Sequence, residues 1–284
     1  MLSVHTNIAS NIAQSSVAKS NDLMTNAMER LSTGLRINSA ADDAAGLQIA
    51  TRLNANVTGM EQASRNVNDA TSMLQTADGA LEEITTIAMR QQELATQAAN
   101  GVNSTEDLEA LENEYNALNE EITRIVEKTE FAGNKLFSAE SVADAGDGGV
   151  LVEGVSFQIG AGSDETLEVA INGGYTVTDV DWSSFDGEDA GDDPTETIDA
   201  VKALTQEVGE DRSELGANIN RLSHTASNLT NVTENTKAAA GRIMDADFAV
   251  ESANMTKNQL LVQAGTTVLS NANQNTGLVM NLLR

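Results

Sequence analysis

Val201, Val208, Leu215, Leu222 and Leu229 stand seven residues apart in one unbroken series. Such a repeat keeps one face of a helix against a partner, whereas a strand would need a period of two. Ile198, Ile219 and Ala226 fill part of the second seam position, and Arg212 and Asn218 fall near it and weaken it locally. The spacing predicts one long helix from about Thr197 to Ala240. Pro194, the single proline, precedes it, so helices elsewhere can run long without a break.

A long seam needs partners, and two earlier stretches supply them. Met73, Ala77, Ala80, Ile84, Ile87, Leu94 and Ala98 form an apolar stripe interrupted by Gln91. Helical rise makes that stretch about 40 Å long. Asn100 and Gly101 tolerate the left-handed geometry that ends a helix. Ser104 is an N-cap candidate, with Glu106 and Asp107 in the first turn beyond it. Leu108, Leu111, Tyr115, Leu118, Ile122 and Ile125 then repeat the three-and-four spacing. An antiparallel hairpin packed along the later helix follows from this pattern.

Composition agrees with helix-on-helix packing. Apolar residues make up 40% of the 284, but aromatic ones only 3%. Ala, Leu, Val, Ile and Met dominate, and most of these favour helix. The formal net charge of −27 argues against nucleic acid, which is bound through Lys and Arg on phosphates. It argues equally against an anionic membrane surface. No cysteine is present, which excludes disulfides, thiolate metal sites and thiol catalysis. The start of the chain shows neither a basic segment nor an apolar run typical of a cleaved signal, and no stretch has the length to span a bilayer. The expectation is no membrane insertion.

The middle differs in kind. Between Phe137 and Lys202 there is no Lys or Arg. Val155, Phe157 and Ile159 alternate, as do Leu167, Val169 and Ile171, then Tyr175 and Val177, and alternation predicts strands with one buried face. Asn172-Gly173-Gly174 is expected to turn the last two. Ser183 to Thr195 reads as an acidic loop. The result is a small β excursion, removable between about Ala143 and Asp192 if the helices alone assemble.

The two chain ends carry almost no charge: Lys19 alone in the first twenty residues, and Lys257 and Arg284 alone after Glu251. They retain helical spacing at Val4, Ile8 and Ile12, at Met24, Met28, Leu31 and Leu35, and at Leu261, Gly265, Val268, Ala272, Val279 and Leu283. Their Asn, Ser and Thr are poor helix formers, so such segments need packing to be stable. Apart from Met24 and Met28, these are the candidate subunit-assembly residues, and both ends are expected to order on contact with other copies.

Sites for chemistry are scarce. His5 and His224 have no ligand spacing around them, and no phosphate-binding loop, zinc-protease motif or nucleophile elbow occurs. Gly146-Asp147-Gly148-Gly149 is expected to precede a strand rather than a helix, which does not suit a phosphate cradle. Asp186, Glu188, Asp189, Asp192 and Asp193 lack a full calcium-loop pattern and read as a solvated loop. No enzyme, cofactor or metal is expected.

Several stretches carry a family resemblance. Arg30–Leu47 (RLSTGLRINSAADDAAGL) resembles the N-terminal hallmark of bacterial flagellins. Gln62–Asn66 (QASRN), Leu74–Leu81 (LQTADGAL) and Glu93–Asn100 (ELATQAAN) continue it. Arg212–Ala217 (RSELGA), Arg242–Ala249 (RIMDADFA) and Gln263–Leu269 (QAGTTVL) match at the other end. Ala132 departs from the pattern, standing where the family usually has Asn, and Gln92 replaces a common Arg.

The resemblance implies a mainly α fold: a long coiled-coil-like helical bundle made from both chain ends, with a small inserted β-rich domain. It implies an inner-tube helix at 1–43, a helical hairpin of an outer bundle at 44–137 and a variable surface insert at 138–195. The long helix of the outer bundle would take 196–243, and a second inner-tube helix 244–284. The implied function is a structural subunit that self-assembles into the extracellular flagellar filament used for swimming motility. Secretion through the flagellar type III apparatus, an export chaperone, and cap and junction proteins follow from the same resemblance. So does an innate-receptor contact with Toll-like receptor 5 at Arg90, Glu93 and Leu94, with Glu114 on the facing helix. Two alternatives are a hook-filament junction protein and an adhesive or ligand-binding role for the acidic insert.

Overall fold

The computed structural model describes residues 7–137, 149–173, 175, 179–182 and 193–282. The chain divides into two compact units, one of residues 1–57 with 234–284 and one of residues 58–233.

The first unit contains α1 (Ile8–Thr33), the start of α2 (Ala44–Ala98), the end of α5 (Pro194–Met244) and all of α6 (Phe248–Leu282). α1 and α6 pair antiparallel. Asn7 Nδ2 donates to the Ala272 carbonyl at 2.9 Å near one end, and Arg30 meets Glu251 at 3.1 Å near the other. Each helix turns a three-and-four series inward: Ala13, Val17, Met24 and Ala27 on α1, and Met255, Asn258, Val262, Gly265 and Leu269 on α6. The seam mixes small and polar residues with half-buried Val, Met and Leu side chains, and the Val17 side chain lies against Gly265.

Two short joints close this unit. α1 ends at Gly34, whose φ of 75° is left-handed, a geometry costly for residues with a Cβ. Asp42 accepts from the backbone N–H groups of Asn38 and Ser39. The bonds from Ser39 hold its carboxyl below the usual carboxylate range. Asp43 then caps α2 by accepting from the Gly46 N–H at 2.9 Å. A Cβ on Gly46 would lie 2.7 Å from Ile37 Cδ1, so glycine there lets Ile37 bury fully.

The second unit is a bundle of α2, α3 (Thr105–Lys128) and α5. The expected hairpin is present. Ser104 and Asp107 form a capping box, with Asp107 N–H on Ser104 Oγ at 3.2 Å and Ser104 N–H on Asp107 Oδ2 at 3.1 Å. Val201, Val208, Leu215 and Leu222 are fully buried, and Leu229 is partly so. Asp193 caps α5 by accepting from the Thr195 N–H at 2.8 Å, with Pro194 at the first helical position. Arg212 does not simply weaken the seam: its Nε donates to Asp78 Oδ1 of α2 at 2.9 Å. Gln91 is wholly buried with no hydrogen-bond partner for either amide atom.

The middle of the chain corrects several expectations. A hairpin unforeseen from the sequence, β1 (Glu130–Phe131) with β2 (Asn134–Lys135), follows α3. Gly149 precedes one helical turn, α4 (Val150–Glu153), rather than a strand. β3 (Val155–Gln158) and β4 (Thr166–Val169) pair antiparallel, Val155 opposite Val169, as the alternation required. Residues 159–165 connect them, closed by the Ile159 N–H on the Glu165 carbonyl at 3.0 Å. Gly174 and Val177 lie outside the described residues, so the turn at Asn172-Gly173-Gly174 and its strand are only partly described. The Gly146–Gly148 run and Asp186, Glu188, Asp189 and Asp192 lie outside them altogether.

The buried face of this segment is not a separate small core. Leu136, Phe137, Leu151, Leu167, Val169, Ile171, Tyr175, Val180 and Trp182 join one apolar cluster with the bundle helices. Trp182 packs on Tyr115 of α3 with ring centroids 5.1 Å apart, and Phe137 meets Tyr175 edge-on at 5.8 Å. Asn116 binds the Val180 backbone at both ends, donating from Nδ2 at 3.1 Å and accepting on Oδ1 at 3.2 Å. Removing 143–192 would therefore strip the only tryptophan and one of the two tyrosines from the core. The deletion thus exposes a face of the bundle that this segment covers.

Candidate functional site: an assembly surface on the paired ends

Two helices can pair through any stripe, but burial separates the stripe used within the chain from the one left over. Ala13 and Ala27 are buried in the α1 seam, while Ile8 and Ile12 remain 65% and 62% exposed. On α6, Glu251 and Asn258 are buried, while Leu260, Leu261 and Val268 are exposed. Ile8, Ile12, Leu260, Leu261 and Val268 thus point away from the intramolecular contact, while Val17, Met24, Met255, Val262 and Leu269 turn toward it. Exposed apolar side chains of this kind make these faces the candidate interaction surface.

The predicted assembly residues fall into two groups. Ile8, Ile12, Leu261 and Val268 lie on the outward faces. Gly265 and Ala272 belong to the seam, and Leu31 and Leu35 are half-buried within the unit. The neighbours described for these four lie in the same chain. The spacing could not separate the groups, because both stripes repeat every three or four residues. Val4 and Leu283 lie outside the described residues, and Val279 lies in α6 with its side chain undescribed.

The joints bring the two chain ends into register. Leu35 pairs with Asp245 in an isolated antiparallel bridge. The Arg36 N–H donates to the Met244 carbonyl at 2.6 Å, and the Ala246 N–H to the Gly34 carbonyl at 2.9 Å. The Arg36 guanidinium adds a bond to the Ile243 carbonyl at 2.8 Å. Asp247 caps α6 through the Ala249 N–H at 2.9 Å. The stretches Arg30–Leu47 and Arg242–Ala249 therefore meet each other. Most of their polar residues close turns and caps.

In the bundle, Arg90 bridges Glu93 at 3.0 Å and Glu114 at 2.8 Å. The bond to Glu114, then that to Glu93, raises the Arg90 pKa above its ordinary value. All three side chains are about half exposed or more, and such surface pairs add little stability. Met89, Gln92, Glu93, Thr96 and Gln97 line an open groove beside them. Leu94 is corrected: at 1% exposure it belongs to the core and offers no side-chain surface to a partner.

Asp211 went unnoticed in the sequence, because an acidic residue in an acidic chain carries no signal. It is buried on α5, accepts from the Tyr175 hydroxyl at 2.5 Å and lies 3.4 Å from Asn172 Nδ2. Burial, then the bond to Asp211, pushes the Tyr175 hydroxyl above the ordinary phenol range. This carboxylate anchors the middle segment to the bundle. Among the described residues no group of three or more His, Cys, Asp or Glu could hold a metal ion. No described helix is long and apolar enough to cross a membrane.

Residues 4–141 match the model of the bacterial flagellin N-terminal helical region. Residues 198–283 match that of the C-terminal helical region. A flagellin of Halalkalibacterium halodurans is 42% identical over 91% of both chains. The chain belongs to the bacterial flagellin family. Polar flagellin F of Vibrio parahaemolyticus is 32% identical over 99% of both chains. The crystal structure of Bacillus cereus flagellin aligns at 31% identity over 58% of this chain and 88% of that one, with a TM-score of 0.46. The function is that of the flagellin family: a structural subunit of the flagellar filament, the extracellular part of the flagellum.

Proposed function

We propose that the filament forms by self-assembly of this chain through the outward faces of α1 and α6, with no catalytic step. The observation that carries this reading is the exposure of Ile8, Ile12, Leu261 and Val268 beside the α1–α6 seam. Burying those side chains against other copies would remove apolar area from water at roughly 25 cal/mol per Å². On this reading, 1–43 and 244–284 form the inner tube, 44–137 and 196–243 the outer bundle, and 138–195 the surface insert. The subunit leaves the cell through the flagellar type III apparatus, held first by an export chaperone, and meets cap and junction proteins at the filament ends.

Val268→Asp tests the interface. The position is exposed, so the monomer should keep its circular dichroism and its melting temperature, while polymerisation seen by negative-stain microscopy should be lost. Normal filaments from this variant would sink the proposed surface.

The cluster of Arg90, Glu93 and Glu114 is proposed as the contact with Toll-like receptor 5, with Leu94 acting only by packing beneath it. Its support is the exposed, charge-paired geometry beside the open groove. Arg90→Glu should abolish receptor-reporter activation while leaving the melting curve unchanged. Undiminished activation would remove this contact from the reading.

A further inference from the structure

The chain holds two Asn-Gly steps, Asn100-Gly101 and Asn172-Gly173. This dipeptide has an intrinsic chemistry. The backbone nitrogen of the glycine can attack Cγ of the asparagine side chain, because no Cβ on the second residue obstructs the approach. An N–Cγ bond forms, the Cγ–Nδ2 bond breaks, and ammonia leaves with the proton given up by the backbone nitrogen. Water then opens the five-membered succinimide at either carbonyl and leaves aspartate or isoaspartate. The only co-reactant is water, and no oxidation or reduction occurs.

Both asparagines are exposed, but the structure places the two glycines in opposite surroundings and, among the described residues, gives only Asn172 a side-chain partner. Asn100 follows the end of α2, and both it and Gly101 are exposed. The turn is closed by the Asn100 N–H on the Gln97 carbonyl and the Asn103 N–H on the Asn100 carbonyl, each at 3.2 Å. Neither bond engages the reacting groups: among the described residues, the Asn100 side chain has no partner and the Gly101 N–H donates to none. A Cβ on Gly101 would meet nothing within 4 Å, so the backbone there has room to rearrange. Asn172, in contrast, lies with Nδ2 3.4 Å and its own N–H 3.5 Å from Asp211 Oδ1. Gly173 is buried in a left-handed conformation against the Val152 side chain.

We propose that Asn100 is a site of spontaneous deamidation in the folded protein, and that Asp211 and Val152 protect Asn172 from the same reaction. The modification puts a negative charge at the C-terminal end of α2, where the helix dipole disfavours it. Isoaspartate also lengthens the backbone inside the turn whose Asn103 side chain bonds the Gln97 carbonyl at 2.7 Å.

The test is incubation of the purified full-length chain in warm, mildly alkaline buffer, followed by peptide mass spectrometry with fragmentation that localises each conversion. Residue 100 should convert to a mixture of aspartate and isoaspartate, about tenfold or more faster than residue 172. In urea the two steps should convert at similar rates. Gly101→Ala should slow residue 100 by about tenfold without moving the melting temperature. Conversion of residue 172 as fast as residue 100 in the folded chain would overturn the proposal. So would an intact Asn100 under conditions where the unfolded chain reacts.

Discussion

The α1–α6 pair and the bundle of α2, α3 and α5 are built from the same kind of helix, yet they place several of their large apolar side chains oppositely. The bundle puts Leu81, Ile84, Ile122, Val208 and Leu215 inside and completes its core with Trp182, Tyr115, Tyr175 and Phe137. The pair puts Ala13, Ala27, Asn258 and Gly265 at its contact and leaves Ile8, Ile12, Leu260 and Val268 in water. Burial is the dominant stabilising term of a folded domain. The bundle has therefore spent its apolar surface within one chain. The pair has kept part of its own, which is the state expected of a segment completed by other copies.

The sharpest way to break this contrast is to place the same charge in both regions. Leu215→Asp puts a carboxylate where the native residue has no exposure. Loss of the cooperative melting transition is expected, against the nearly unchanged melting proposed for Val268→Asp. A destabilisation beyond roughly 4 kcal/mol belongs to buried unpaired charges, whereas exposed sites usually stay within about 0.5 kcal/mol. If Leu215→Asp melts normally, the bundle is not the closed core described here.

Amide exchange compares the regions without mutation. Ordering backbone costs about 1–2 kcal/mol per residue. In the pair, that cost is met by one seam, one buried-edge ion pair and a few bonds at the joints. In dilute monomer, the amides from Leu261 to Leu282 should exchange well before those from Val208 to Leu222. Limited proteolysis should leave a resistant core near 45–240 that cannot polymerise, while the filament resists. Equal protection of the two stretches in dilute monomer would show that the pair is stable without neighbours.

The regular parts of this contrast were legible in the sequence. The series Val201 to Leu222 named the α5 seam, and Ser104 named the start of α3, because helix period and capping are local properties. The insert was half legible: alternation found β3 and β4. It could not show that their buried face is the bundle itself, since that depends on contacts between residues as distant as Asn116 and Val180. The assembly surface was legible as a stripe but not as a face. Gly265 and Val268 lie on the same stretch of α6 and obey the same spacing, and only the position of α1 separates seam from surface. Leu94 failed for the same reason: neighbouring Arg90 and Glu93 are exposed, but Leu94 turns inward.

The smallest expected effect concerns how each region turns its chain. The pair ends α1 with Gly34 at a φ of 75°, where glycine carries no steric penalty. The bundle makes the tight turn between β1 and β2 with Ala132 at 52° and Gly133 at 85°, so one of its two left-handed positions carries a Cβ. The left-handed conformation costs a residue such as alanine about 1–2 kcal/mol, and asparagine tolerates it better through local hydrogen bonding. Asn-Gly is also the preferred pair for a two-residue hairpin turn. Ala132→Asn should therefore stabilise the bundle by a fraction of that cost, up to about 1 kcal/mol. Gly133 has open space where a Cβ would stand, so nothing packed against the turn opposes the change. Chemical denaturation followed at Trp182 reads the bundle directly, because that residue is the only tryptophan and lies in its core. The midpoint should rise with an unchanged slope, while exchange from α6 stays as it was. A lower midpoint would show that the turn is held by contacts that alanine makes and asparagine breaks.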